Sequence, residues 1–577
     1  MARTVADQIV TALVRAGVER LYGIVGDSMN PVTDAVRREG SIRWIHVRHE
    51  EVAAFAAGAE AELSGQLAVC VGSSGPGHLH LINGLYECHR SNVPVLAIAA
   101  HIPSKEVGSG YFQETHPTRV FGECSCYCEL VMSPEQMPRV LQSAIQSAIS
   151  LRGVAVVAMP GDVAGLGAQN EALEHAPAMG QPRVLPAEDD LKRLADRLSS
   201  ARSVTLYCGA GCAGAHDEVV ALADRLKAPV GFALRGKQFI EYDNPYEVGM
   251  TGLLGYGGAY GAMHDCDVLL LLGTDFPYEQ FMPRDVTIAQ VDIRGERLGR
   301  RSRLDLGLCG DVKETIRALL PNLTPKDDTH HLEAARSTHA HVMERLRAYV
   351  EHPGKKGAIR PEYLASMLNE LAGPDAIFTM DTGTPTIWAA RYLRAAANRR
   401  LIGSFMHGSM ANAMPQAIGA QFLRPDRQVI ALSGDGGFTM LLGDLLTIMQ
   451  YNLPVKVVIF DNGELDFVKI EMLEAGFPDW QTDLWNPNFA RMAEAIGALG
   501  VRIEDPSEVR PGLERALSHD GPAIIDVLVE PNALALPPHV TFGQVEGFAL
   551  AMAKEALSHR MGEVIDTAVG NVRLVHP

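Results

Sequence analysis

The sequence predicts an α/β protein built from three doubly wound domains and a C-terminal helical tail. Its 577 residues exceed what one core holds at roughly 100–200 residues per domain. Short apolar runs alternate with helical stretches in three successive blocks, the signature of parallel sheets covered by helices. Polar, turn-rich stretches separate the blocks. A hydrophobic fraction of 47% against 21% charged residues suits buried cores rather than disorder.

The first block, residues 1–165, opens on MARTVADQIVTALVRAGVERLYG, whose mixed apolar and charged spacing predicts a structural helix rather than a signal segment. Strands are expected at Leu21–Val25, Ile42–Val47, Leu67–Val71, Val95–Ala99 and Val154–Met159. Cys124, Cys126 and Cys128 would share one face if extended. With no second pair at zinc spacing they are expected to be free, mostly buried thiols of a reducing cytoplasm. A linker from Gly165 to Pro186 leads to the second block, residues 186–330. Its strands are expected at Ser203–Cys208, Val230–Ala233, Val268–Leu272 and Thr287–Asp292, and the turn-rich Pro321–His331 ends it. Beyond the turn Pro353–Gly357, the third block, 360–530, carries strands at Ala376–Met380, Gln428–Ser433, Val455–Phe460 and Ala523–Val529.

In the tail, 540–577, Phe548, Met552, Ala556, Met561, Val564, Ile565, Ala568 and Val572 recur mostly at three- or four-residue steps among charged residues, an amphipathic helical pattern. The longest apolar runs are strand-length, far below the ~18 residues of a membrane span, so a soluble chain is expected, with surface association open. A net charge of -18 and the lack of a Lys/Arg run argue against a nucleic-acid partner.

The strongest chemical signal is Gly434-Asp435-Gly436 at the end of one expected strand, followed after 24 residues by Asp461-Asn462 at the end of the next. In a doubly wound sheet both segments emerge at the carboxyl edge, where ligands bind. Asp435 and the Asn462 amide oxygen are hard ligands suited to Mg²⁺, and Gly436 lets the backbone approach phosphates. A lone Gly-Asp-Gly is a turn; the second strand end at this spacing is what points to a metal. In the second block, Gly209-Ala-Gly211-Cys-Ala-Gly214 follows a strand, a dinucleotide pattern in its proper context. An NAD site would want an acid at the end of the next strand, where this chain has Arg235, which permits FAD or NADP instead.

The paired metal motif resembles that of thiamine-diphosphate enzymes. With the runs RHEEVAAFAAGAEA, HLINGLYECHR, GSGYFQETHP, YDNPYEVGMTGLLG, LLGTDFPY, GSFMHGSMANAMPQAIGAQ and SGDGGF, the resemblance narrows to the flavin-linked, quinone-dependent pyruvate dehydrogenases, also called pyruvate oxidases, over nearly the whole chain. It implies three cofactors: thiamine diphosphate, Mg²⁺ and FAD. It implies that Glu50 lies beside N1′ of the aminopyrimidine as the catalytic carboxyl and that the Glu464 carbonyl joins Asp435 and Asn462 on the metal. Gly383, Thr384, Gly436 and Gly437 would face the diphosphate, with Gly408, Ser409 and Met410 holding the aminopyrimidine. FAD would take Gly209, Gly211, Arg235, Thr251, Gly252, Leu253, Leu254, Thr274, Asp275, Phe276, Pro277, Tyr278 and Asp292, and Phe467 would stand between the two organic cofactors. The implied activity is oxidative decarboxylation of pyruvate to acetate and CO₂, with electrons passed through FAD to a membrane quinone. The implied assembly is a cytoplasmic homotetramer with active sites shared between subunits, peripherally bound at the inner face of the cell membrane, its tail meeting the lipid surface. An acetolactate synthase or non-oxidative decarboxylase with structural FAD is the alternative within this chemistry, and a catalytically silent cofactor-binding homologue the alternative outside it. Asp461, Asp466, Thr382 and His78 depart from the family pattern.

Overall fold

The computed structural model describes residues 3–169, 183–533 and 550. The first helix, Val5–Arg15, is closed by a capping box: Asp7 N–H donates to the Thr4 hydroxyl, and Thr4 N–H donates to the Asp7 carboxylate. It covers a six-stranded sheet of β1 Arg20–Gly23, β2 Arg43–His46, β3 Ala68–Gly72, β4 Val95–His101, β5 Tyr127–Leu130 and β6 Val154–Pro160, in the order β2-β1-β3-β4-β6-β5. All its pairings are parallel.

The middle sheet comprises β7 Val204–Cys208, β8 Val230–Phe232, β9 Glu247–Met250, β10 Tyr256–Gly257, β11 Val268–Leu272, β12 Thr287–Asp292 and β13 Leu306–Cys309, ordered β10-β9-β8-β7-β11-β12-β13. Only β9 and β10 pair antiparallel in it. The small hairpin of β14 Gly354–Lys355 and β15 Ala358–Ile359 forms at the expected turn. The third sheet holds β16 Ile377–Met380, β17 Arg400–Gly403, β18 Val429–Gly434, β19 Lys456–Asp461, β20 Leu499–Ile503 and β21 Ala523–Leu528, ordered β17-β16-β18-β19-β21-β20. This is the strand order of the first sheet repeated, as the similar size and pattern of the blocks suggested.

Each large sheet has a switch point near its centre where the strand order reverses, between β1 and β3, β7 and β11, and β16 and β18; the first and third sheets turn back once more at their far edges, β6-β5 and β21-β20. The loops at these switch points leave a crevice outside the carboxyl edge, and those loops carry the motifs. The first and third domains meet along two Ala-rich helices, Glu50–Ser64 and Ala413–Leu423. Their contact is so close that a Cβ on Gly419 would come 2.1 Å from the Ala56 carbonyl oxygen. Phe55, Ala56, Met414 and Ile418 share one apolar core there. Among the described residues no helix is long and apolar enough to cross a membrane. The tail pattern of 540–577 lies outside the described residues apart from Leu550.

Candidate cofactor sites

At the β16/β18 crevice two helices start side by side, Thr384–Tyr392 after Gly383 and Asp435–Met440 after Gly434. A Cβ on Gly383 or Gly434 would enter the gap between them and meet only Pro385, at 3.6 and 3.8 Å. That gap, at the starts of two helices, suits a diphosphate. Asp435 is buried, and its carboxylate accepts from Gly436 N (2.8 Å), Gly463 N (2.8 Å) and Asn486 Nδ2 (2.7 Å). Burial still pushes its carboxyl up to about 6, a cost that a nearby dication would reverse. Asn462 lies at the neighbouring strand end, and one carboxylate oxygen of Glu464, Oε2, is taken by Lys469 at 2.7 Å. The donor set of carboxylate, amide and carbonyl oxygens fits Mg²⁺. Met410 reaches toward the same place, its Cε 3.4 Å from a Cβ built on Gly436.

The departures from the family pattern have these places in the fold. Asp461 is buried and accepts from Asn486 Nδ2 (2.8 Å) and Arg502 Nη1 (3.0 Å), so it anchors the residue that holds Asp435. The Thr382 hydroxyl donates to the Ser404 carbonyl at 3.2 Å. Asp466 begins the helix Asp466–Glu474, its carboxyl pushed up by burial and by Glu464. His78 is enclosed, with Nδ1 on the Ala100 carbonyl (2.8 Å) and Nε2 on the Thr115 hydroxyl (2.6 Å).

In the first domain Glu50 starts its helix at the end of β2 and is buried. His80 Nδ1 lies 2.9 Å from Oε2, while Oε1 faces Gly77, 3.3 Å from where its Cβ would stand. The glycine turn after β3 therefore leaves room beside a carboxylate held by one oxygen. His80, stacked on His49 with centroids 4.4 Å apart, went unnoticed in the sequence, as did Asn486 and Asp381. Asp381 is buried, Oδ1 accepts Ala413 N (2.8 Å), and burial pushes the carboxyl up to about 7.

The β7/β11 crevice opens into a cavity of about 540 Å³. All thirteen residues that sequence analysis assigned to FAD line it, from Gly209 to Asp292. The two switch-point loops touch through their backbones: a Cβ on Gly211 would lie 2.7 Å from Gly273 Cα. Five arginines, Arg90, Arg152, Arg235, Arg294 and Arg297, face three aspartates, Asp275, Asp292 and Asp311, a surplus of two positive charges that suits a dinucleotide's diphosphate. Four of these arginines were not singled out in sequence, because two belong to the first domain and two to a loop beyond the motif. The same cavity is lined also by Gly383, Thr386, Gly408 and Phe467 of the third domain.

Three family descriptions match in register with the three domains: the thiamine pyrophosphate enzyme N-terminal TPP binding domain over residues 3–120, the central domain over 191–319 and the C-terminal TPP binding domain over 381–527. The chain belongs to the thiamine pyrophosphate enzyme family. Similar proteins include the putative thiamine pyrophosphate-containing protein YdaP of Bacillus subtilis, 35% identical over 98% of each chain. The pyruvate oxidase of Lactiplantibacillus plantarum is 30% identical over 90% of this chain and 88% of its own. A probable acetolactate synthase large subunit of Methanocaldococcus jannaschii is 30% identical over 92% and 93%.

Proposed function

We propose that this thiamine pyrophosphate enzyme oxidatively decarboxylates pyruvate to acetate and CO₂ with Mg²⁺ and FAD, and delivers the electrons to a quinone. The observation that carries the proposal is the single cavity joining the β7/β11 crevice to Gly383, Gly408 and Phe467, so that a flavin seated there would end against the thiamine-binding domain. The similarity to a pyruvate oxidase supports pyruvate as the substrate.

When bound, thiamine diphosphate supplies the nucleophile and electron sink for decarboxylation, and FAD supplies the electron acceptor. Glu50 would stand beside the aminopyrimidine as the group that exchanges a proton with it, and His80 on Oε2 holds the carboxylate in place. Asp435, Asn462 and the Glu464 carbonyl would hold the metal, and Gly383, Thr384, Gly436 and Gly437 would admit the diphosphate. Met410 would prop the cofactor, and Phe467, on the cavity lining, would stand between the two organic cofactors. The acceptor in this proposal is a membrane quinone, reached at the inner face of the cell membrane by a cytoplasmic homotetramer through the amphipathic tail.

Anaerobic addition of pyruvate to the purified yellow protein tests the proposal. Bleaching of the flavin band with stoichiometric acetate is expected. Acetolactate or acetaldehyde without bleaching would overturn it in favour of a non-oxidative enzyme, the reading supported by the acetolactate synthase relative.

A further inference from the structure

The helix Ile82–Ser91 of the first domain lies between the two candidate cofactor sites and touches residues of both. Near its start, Asn83 Nδ2 donates to Glu51 (2.7 Å) and to Ser409 Oγ (3.0 Å), and Asn83 Oδ1 meets His407 Nε2 at 2.8 Å. Tyr86, one turn on, stacks on His407 with ring centroids 5.5 Å apart. At its end, the Ser91 carbonyl accepts from Arg235 Nη2 (2.9 Å) and Asn92 Oδ1 accepts from Arg297 Nη2 (2.6 Å), both arginines of the dinucleotide cavity.

Between these ends sits Glu87, a buried carboxylate 317 residues from its main partner. Ser404 Oγ donates to Oε2 at 2.5 Å and Ser91 Oγ donates to Oε1 at 2.5 Å. Ser404 Oγ in turn accepts from Ser409 N (2.9 Å), and its carbonyl accepts from Gly408 N (2.8 Å) and the Thr382 hydroxyl (3.2 Å). The chain of bonds thus runs from Ser409 N–H through Ser404 to Glu87, then through Ser91 to Arg235. A buried carboxylate with neutral donors is costly unless every bond is kept. The network therefore favours one arrangement of the loop 404–410 relative to the helix.

We infer that Glu87 is a positioning residue shared by the two cofactor sites, fixing the 404–410 loop on one side and the Ser91–Arg235 contact on the other, so that filling one site favours filling the second. This rests on the proposed assignment of FAD to the cavity. Binding coupling of this kind is reciprocal, so either cofactor must tighten the other by the same factor.

The test uses full-length protein freed of cofactors, titrated with FAD in the absence and presence of saturating thiamine diphosphate and Mg²⁺. In the parent, thiamine diphosphate is expected to tighten FAD at least about fivefold. Glu87→Ala and Ser404→Ala should bring that factor close to one while circular dichroism keeps the parent's folded signal, with a lowered thermal midpoint as the broken bonds require, and Glu87→Asp should restore part of the coupling. Ser404→Ala carries the test if the helix variant folds poorly, because it breaks the same link from the loop side. Retained coupling in a folded Ser404→Ala or Glu87→Ala protein, or a parent that binds both cofactors independently, overturns the inference. A parent that binds no FAD overturns the proposed function and this inference together. A parent that couples the two cofactors without oxidising pyruvate removes only the proposed reaction.

Discussion

Burial and hydrogen bonding decide what each ionisable side chain near the crevices can do. Asp435 and Asp381 stand at neighbouring strand ends, and burial raises both, yet their partners differ. Asp435 is ringed by donors at the mouth of the crevice, which suits a ligand to a cation. Asp381 ties the start of the helix Ala413–Leu423 to β16, with Oδ2 close against Gly437, and so shapes the glycine turn from behind. His78 shows the same principle applied to a base. Enclosure pushes it down to about 4, so the folded protein holds it neutral where an unfolded chain at the ordinary histidine value of 6.5 would bind a proton. Because the folded value is the lower one, the stability due to neutral His78 is present above 6.5 and is lost as pH falls toward 4, to the extent of roughly 3 kcal/mol. Urea midpoints of the parent and of His78→Asn, followed through that interval, should converge as pH falls. Parallel pH profiles for the two proteins would rule out this role for His78.

At the scale of elements, the strands legible in sequence were the central ones and one edge strand, β2. β3, β4, β7, β11, β18 and β19 are covered on both faces and show as continuous apolar runs. The strands that went unnoticed, β5, β10, β13, β17 and β20, are all sheet edges, and β9 adjoins one. Edge strands are short and partly solvated, so their residues mix polar with apolar and the periodic signal fades. The candidate sites divide in the same way. Asp435, Glu50 and the Gly209–Gly211 loop are local motifs, readable where they stand. His80, Asn486 and the arginines of the cavity acquire their place only when separate loops or domains meet. The helix contact at Gly419 is another such meeting. Gly419→Ala would drive a methyl into the Ala56 backbone, where no side chain can give way, and is expected to cost about 3 kcal/mol, the upper end of overpacking penalties. A thermal midpoint within a degree or so of the parent's would show that the helices can separate without loss.

For the whole molecule the question is whether one chain completes a site. Glu50 is held by His80 of its own domain, and Asp435 by Gly436, Gly463 and Asn486 of its own. Each half-site is bordered by exposed aromatics: Phe112, 79% exposed, adjoins Gln113 beside the Gly75 turn, and Trp485, 88% exposed, adjoins Asn486. Trp480 is 70% exposed in the same segment. Such side chains bury about 150–250 Å² each when covered, and apolar groups left open at the rim of a site mark an interaction surface. A second copy covering them is the assembly that the proposed tetramer requires, with Glu50 of one chain facing Asp435 of another. Two variants separate this arrangement from a site within one chain. Glu50→Gln should slow turnover by about a hundredfold or more, the scale of a lost acid–base group, and Asp435→Ala should lose Mg²⁺-dependent retention of thiamine diphosphate. Co-expressed in equal amounts, the two defective chains pair at random, half of the dimers are mixed, and one of the two shared sites in each mixed dimer is whole, so about a quarter of parent turnover should return. If each site were built from a single chain, every site in the mixture would carry a defect and the co-expressed protein would be no more active than its parts.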